Sequence, residues 1–178
     1  EKLETIKQKV ETLIKRPLEI ISGGNSSSVL MLLDEHLPTY INQLRIGETL
    51  VLGRETAYGN HMPYMHDDIF RLEAEIIELK DKPSHPEGIL GMDAFGQRVK
   101  FFDKGQMKRA ILGVGRQDVN CEDLIPPKDV IIIGCSSDHL IVELLNDSYK
   151  VGDTLIFKLT YAGILRVMTS SYVEKVYG

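Results

Sequence analysis

Cysteine is scarce in this sequence: Cys121 and Cys135 are its only two. Two are too few for a disulfide framework or a zinc knuckle, so the pair is read as free thiols in a reducing cytosol. Long apolar runs are lacking as well. No segment is read as a bilayer-spanning helix and no signal peptide is read at the start, so a cytoplasmic location without a membrane partner is expected. Positive charge is not in excess either. The 21 Lys and Arg are outnumbered by 26 Asp and Glu, for a net charge of −5. Such a surface excludes a general binder of nucleic acid or anionic lipid, while leaving room for a local basic pocket around one phosphate. Internal repeats and low-complexity segments are absent. What remains is 43% hydrophobic and 26% charged, the composition of a globular protein with a core to bury.

The first residue is Glu1 rather than methionine, and no capping residue precedes the apolar positions Leu3, Ile6, Val10, Leu13 and Ile14, which recur at helical spacing. The expectation is a helix entered in mid-course, cut from a larger protein. Pro17 ends it. Leu18 to Ile21 reads as a short buried strand, Ser22-Gly23-Gly24-Asn25 as a sharp turn, and Ser26 to Leu33 as a helix. Leu44 to Gly47, extended by Thr49 to Leu52 and closed by Gly53, reads as a further strand. Strands alternating with helices point to a parallel sheet, and two such units cannot close a barrel alone.

Thr56 to Asp68 is a loop, and after it the period changes. Phe70 to Leu79 alternates apolar and charged residues as a half-buried antiparallel strand does. Strand-like runs follow at Val99 to Phe102, Arg109 to Val114, Val130 to Ile133, Leu140 to Leu144 and Thr154 to Leu159, separated by turn residues. The chain is therefore read as α/β over 1–60 followed by an all-β barrel or sandwich over 61–178.

The most chemical stretch runs from Leu18 to Ser28. A strand, a glycine pair and three serines ahead of a helix can present backbone N–H groups and hydroxyls to an anion. A second glycine turn, Arg45-Ile46-Gly47-Glu48, follows on the next strand. The plainer alternative is an ordinary turn with Ser26 as a helix cap and Arg45 on the surface. His61, His66 and Asp67 lack a third or fourth fixed ligand and are read as loop residues, so no metal is expected. Tyr58 and Tyr64 in the same loop are candidates to line an entrance.

Ser22-Gly23-Gly24-Asn25-Ser26-Ser27, Leu44-Arg45-Ile46-Gly47-Glu48 and Leu52-Gly53-Arg54-Glu55-Thr56 resemble the last two barrel strands of the alanine-racemase-like fold. With Gly115-Arg116-Gln117-Asp118 and Ser136-Ser137-Asp138-His139-Leu140 added, the spelling is similar to the ornithine racemase group, over nearly the whole chain. The resemblance implies a pyridoxal 5'-phosphate enzyme about twice this long, a (β/α)8 barrel followed by a β-domain. It acts as a homodimer whose subunits share their active sites, on a small amino-acid substrate. The lysine that anchors the cofactor belongs to the first barrel strand, so no lysine here takes that role.

By the same resemblance Asn25 and Ser26 match the phosphate turn, and the amides of Gly47 and Glu48 cap the phosphate. Arg45 faces the pyridine nitrogen, keeping it unprotonated. Tyr161 aligns with a β-domain tyrosine that reaches the phosphate; the alternative is a core tyrosine. Racemisation needs a proton-transfer group on each face of the substrate. The family's tyrosine in Gly-Tyr-x-Asp-Gly is replaced here by Arg116, and an arginine is no base near neutral pH. His139, beside Asp138, is the replacement candidate, with the Cys135 thiol as an alternative. Asp118 or Asp138 would pair with the distal ammonium of a dibasic substrate such as ornithine, and Arg116 with its carboxylate. A diamino-acid decarboxylase and a non-catalytic dimerisation module are the competing readings. Cys121-Glu122-Asp123 and Cys135-Ser136 do not reproduce the Cys-Asp pair of the decarboxylases.

Overall fold

The computed structural model describes residues 2–86 and 103–178, together with Gly88, Gly91 and Gly96. The chain divides into two compact units, Glu1–Ile69 and Phe70–Gly178.

The first unit opens with α1 (Lys2–Ile14), none of whose residues is buried. A strand β1 (Ser22–Asn25) then pairs in parallel with β2 (Gln43–Arg45), in the register Ser22↔Gln43 and Asn25↔Arg45. The strand thus lies on the residues expected to turn, not on Leu18 to Ile21. The reason lies in the hydrogen bonds. The Leu18 amide donates to Glu11 Oε1 at 2.9 Å and the Ile21 amide to Asn42 Oδ1 at 2.8 Å, so side chains hold this stretch and the ladder starts after it. Gly24 serves close approach: its φ is +132°, and a Cβ there would lie 2.7 Å from Ser28 Oγ and 2.9 Å from Leu44 Cδ2.

A single 3-10 turn, Ser26–Ser28, leads into α2 (Val29–Leu33). Asn25 caps the turn, its Oδ1 accepting from the Ser27 amide at 2.9 Å and the Ser27 hydroxyl at 2.8 Å. Thr49 to Leu52 departs from the sequence reading: it belongs to a short helix, α3 (Glu48–Leu52), not to a strand. Gly53 in the left-handed region stops it, donating to the Thr49 carbonyl at 2.9 Å.

Among its described residues the second unit forms a six-stranded antiparallel sheet in the order β5-β8-β3-β4-β7-β6. Its strands are β3 (Arg71–Pro83), β4 (Gln106–Leu112), β5 (Leu124–Ile125), β6 (Val130–Cys135), β7 (Leu140–Leu144) and β8 (Thr154–Leu159). The long β3 pairs with β8 through Arg71–Glu75 and with β4 beyond Ile76, its register shifting between Ile76 and Glu78. One face buries Leu72, Ala74, Ile76, Leu112, Val142 and Phe157, the alternation that the sequence shows. Among the described residues the sheet has two edges and does not close into a barrel. The Val99 to Phe102 run lies outside the described residues.

The sequence reading missed α4 (Tyr161–Thr169), which follows β8. Thr160 caps it, accepting from the Gly163 amide at 3.2 Å, and Gly163, Ile164 and Val167 form its buried face. The free-thiol expectation is also corrected. Cys121 and Cys135 form a disulfide, with Cα atoms 6.4 Å apart. Adjoining loops bring them together: the Arg116 amide donates to the Ser136 carbonyl and the Gln117 amide to the Ser137 carbonyl, both at 2.9 Å. Among the described residues no helix is long and apolar enough to cross a membrane, and no cluster of side chains could hold a metal ion.

Candidate functional site

Chemically able side chains gather in two places, one in each unit. In the first, Ser26 follows the last residue of β1 and Gly47 precedes α3, so the parallel pairing of β1 with β2 sets the two turns side by side. Ser26 is buried, and its Oγ accepts from the Gly47 amide at 3.3 Å and the Thr49 amide at 3.2 Å. A hydroxyl has two lone pairs and one proton, so these two bonds leave its O–H to donate to an acceptor. Thr49 is 1% exposed, and its Oγ1 has no hydrogen-bond partner; neither has the buried Oγ of Ser22. Buried hydroxyls are ordinarily paired, so these orphaned atoms call for an acceptor. A Cβ on Gly47 would meet nothing within 4 Å, which leaves room beside the turn. The Ser26 hydroxyl, with its proton uncommitted and open space at neighbouring Gly47, fits an oxyanion such as a phosphoryl group.

The other expected contacts fare variously. The Gly47 amide is given to Ser26. Glu48 starts α3 and is half-buried. Asn25 spends its carbonyl oxygen on capping Ser27. Arg45 pairs with Asn25 across β1 and β2, next to Ser26, and is exposed rather than buried.

Sequence reasoning missed Thr49 and Glu55. Glu55 is 0% exposed, and its carboxylate accepts from the amides of Ala57 at 2.7 Å, Tyr58 at 2.9 Å and Asn60 at 2.8 Å. Burial by itself pushes its pKa up; the backbone donors outweigh that and hold it below the usual carboxylate range. The carboxylate thereby fixes the loop that exposes Tyr58. Its signal was a lone acid between Arg54 and Thr56, without a spacing that reveals burial.

In the second unit the paired loops carry Arg116, Asp118, Asp138 and His139. Gly115 is the contact point: a Cβ there would lie 2.4 Å from the Asp138 backbone nitrogen, so only glycine fits. Asp138 Oδ1 accepts from Ser137 Oγ at 3.1 Å and Ser136 Oγ at 3.2 Å, and lies 3.1 Å from His139 Nδ1. The Ser137 hydroxyl is the chief cause of a lowered Asp138 pKa, assisted by the charge of His139. Asp118 turns inward: it is 4% exposed, and its Oδ1 accepts from Ser170 Oγ at 2.6 Å. Arg116 is half-buried. Tyr161, at the start of α4, is 38% exposed, which rules out the core alternative. Cys135 is bonded to Cys121 and is no thiol base in this state.

No family model matches the chain. It is 47% identical to an ornithine racemase of Acetoanaerobium sticklandii over 96% of its length, and 44% identical to a lysine racemase of Thermotoga maritima over 97%. The chain spans about half the length of these curated relatives, 49% of each. Its fold is that of an alanine racemase from Bartonella henselae, solved with covalently bound pyridoxal phosphate, at 17% identity and a TM-score of 0.53. That match covers 94% of this chain and 45% of the other. The likeness to the alanine racemases is one of fold, matching less than half of the solved chain. Its sequence is similar to the ornithine and lysine racemases over about half of their length.

Proposed function

We propose that the intact protein is a pyridoxal-phosphate-dependent racemase of a basic amino acid, ornithine or lysine, and that this chain supplies the phosphate cradle and the second proton-transfer group. The observation that carries the reading is Ser26, whose hydroxyl joins the two glycine turns while keeping its proton for an anion. The β1 and β2 strands are then the last two of a (β/α)8 barrel. The covalent lysine anchor lies in the half of the racemases that this chain does not match.

Ser26 and Thr49 would hold the phosphate, aided by the amide of Glu48 and by Tyr161, and Arg45 would face the pyridine nitrogen. When bound, the cofactor supplies a π-system that delocalises the electron pair left behind as the α-hydrogen departs. His139 Nε2 takes or returns that proton, steadied by Asp138 at its other nitrogen. Asp118, buried and with one oxygen still to spare beyond Ser170, pairs with the distal ammonium. Arg116 takes the carboxylate. In the proposed homodimer each second unit serves the partner's cradle. The Cys121–Cys135 bond leaves neither cysteine for a decarboxylase-like Cys-Asp pair.

Incubating the intact protein with single L-amino acids in deuterated water tests the reading. α-Hydrogen exchange is expected for ornithine or lysine. Exchange with neither overturns it.

A further inference from the structure

The disulfide is not an isolated staple. Cys121 begins a 3-10 turn, Cys121–Asp123, that is anchored at its far end. The Asp123 carbonyl accepts from the Thr160 amide at 3.0 Å, and Asp123 Oδ1 accepts from the Thr160 hydroxyl at 2.7 Å. Thr160 is also the cap of α4. Cys135 ends β6 and opens the tight turn Ser136–His139, which is closed by the Ser136 amide on the His139 carbonyl at 2.8 Å. That turn is half-buried at His139 and exposed at Ser137 and Asp138. It meets the rest of the unit through the two amides of Arg116 and Gln117, the backbone contact at Gly115, and the sulfur bridge. One end of the bridge is therefore fixed and the other is the base of the His139 turn.

We propose that the Cys121–Cys135 bond is a reversible clamp that holds the His139 turn against the Arg116–Asp118 loop, and that it is a reaction site for dithiol reductants. The reaction is thiol–disulfide exchange. A dithiolate attacks one sulfur, the S–S bond breaks and a mixed disulfide forms; the second thiol of the reagent then closes its own ring and releases the remaining cysteine. Two electrons and two protons pass to the protein, which gains two thiols, while the reagent becomes a cyclic disulfide. Both cysteines are half-buried rather than enclosed, so a small dithiol reaches the bond. Freed of the bridge, the turn is held by fewer contacts, and Asp138 and His139 are less firmly placed against the Arg116–Asp118 loop. The catalytic consequence rests on the racemase reading; the clamp itself does not.

The test uses the intact protein, oxidised or treated with dithiothreitol. Alkylation under non-reducing denaturation, read by mass, is expected to leave Cys121 and Cys135 unmodified; two added groups would overturn the proposal. Amide hydrogen exchange at Arg116 and Gln117 is expected to speed up by about 10-fold or more on reduction, with Ala110 and Val142 in the sheet centre unchanged. No change at Arg116 and Gln117, or equal acceleration at all four, overturns the clamp. Cys121→Ser combined with Cys135→Ser is expected to match the reduced protein and to ignore dithiothreitol. In a racemase assay reduction should lower kcat more than it raises KM, and the loss should be absent from the double variant's response. If the exchange data hold and no racemisation is seen, the clamp stands and the racemase reading falls.

Discussion

Ser26 Oγ and the Gly47 amide nitrogen, 21 residues apart in sequence, lie 3.3 Å from each other, and that bond joins the end of one parallel strand to the turn after the next. It is the contact on which the proposed cradle depends. Without it, two glycine bends would be neighbours by topology alone, with their donors free to face different directions.

Gly115→Ala tests the second site's frame. The added methyl would meet the Asp138 backbone, which cannot yield as a side-chain tip would. Overpacking of this kind costs about 1–3 kcal/mol. A lower urea midpoint is expected, with unchanged m-value, and chemical shifts should move at Ser136–His139.

Glu55 sets an acid limit. Its folded-state pKa is depressed, so its contribution to stability is full above the ordinary carboxylate range and is lost as pH falls through the folded value. Asp138 acts in the same direction, as do Glu78 beside Lys80 and Asp147 beside Lys108. Denaturant midpoints between pH 7 and pH 3 should therefore fall toward the acid end. Glu55→Gln should be less stable at neutral pH and show a shallower, still present, acid slope. A slope identical to that of the parent would contradict the role given to the buried carboxylate.

His139→Ala and Asp118→Asn separate the proposed base from the proposed specificity residue. The first should abolish racemisation, because one face of the substrate then lacks its proton-transfer group. The second keeps an acceptor for Ser170 Oγ and removes the charge, so KM for the dibasic substrate should rise with kcat largely retained. Asp118→Ala would instead remove the acceptor of the Ser170 O–H and lower stability by about 1 kcal/mol. Steady-state kinetics alongside thermal melts distinguish these outcomes.

Much of the sheet was legible in the chain, because the alternation of apolar and charged residues over Phe70 to Leu79 leaves no choice of face. The misreadings have definite causes. Thr49 to Leu52 is a short apolar run, which periodicity cannot assign to strand or helix. Gly23 and Gly24 signal a turn by composition but serve close approach in a parallel pair. The cap at Thr160 with Ile164 and Val167 three apart did announce α4, yet followed so closely on β8 that the strand pattern masked it. At the site, Ser26 was readable from its motif. Thr49 and Glu55 were not, since the burial of a polar side chain is a tertiary fact. The cysteine pairing was hidden for the same reason: loop docking, not spacing, brings the two residues together.

The most direct measurement is a pyridoxal 5'-phosphate titration of the intact protein and its Ser26→Ala variant, followed by absorbance. Losing a hydroxyl that donates to a charged oxygen costs about 1.5–3 kcal/mol, or roughly 10- to 150-fold in affinity. The cradle predicts weakening of that order, with the sheet of the second unit undisturbed by circular dichroism. Equal affinity for both proteins would contradict it.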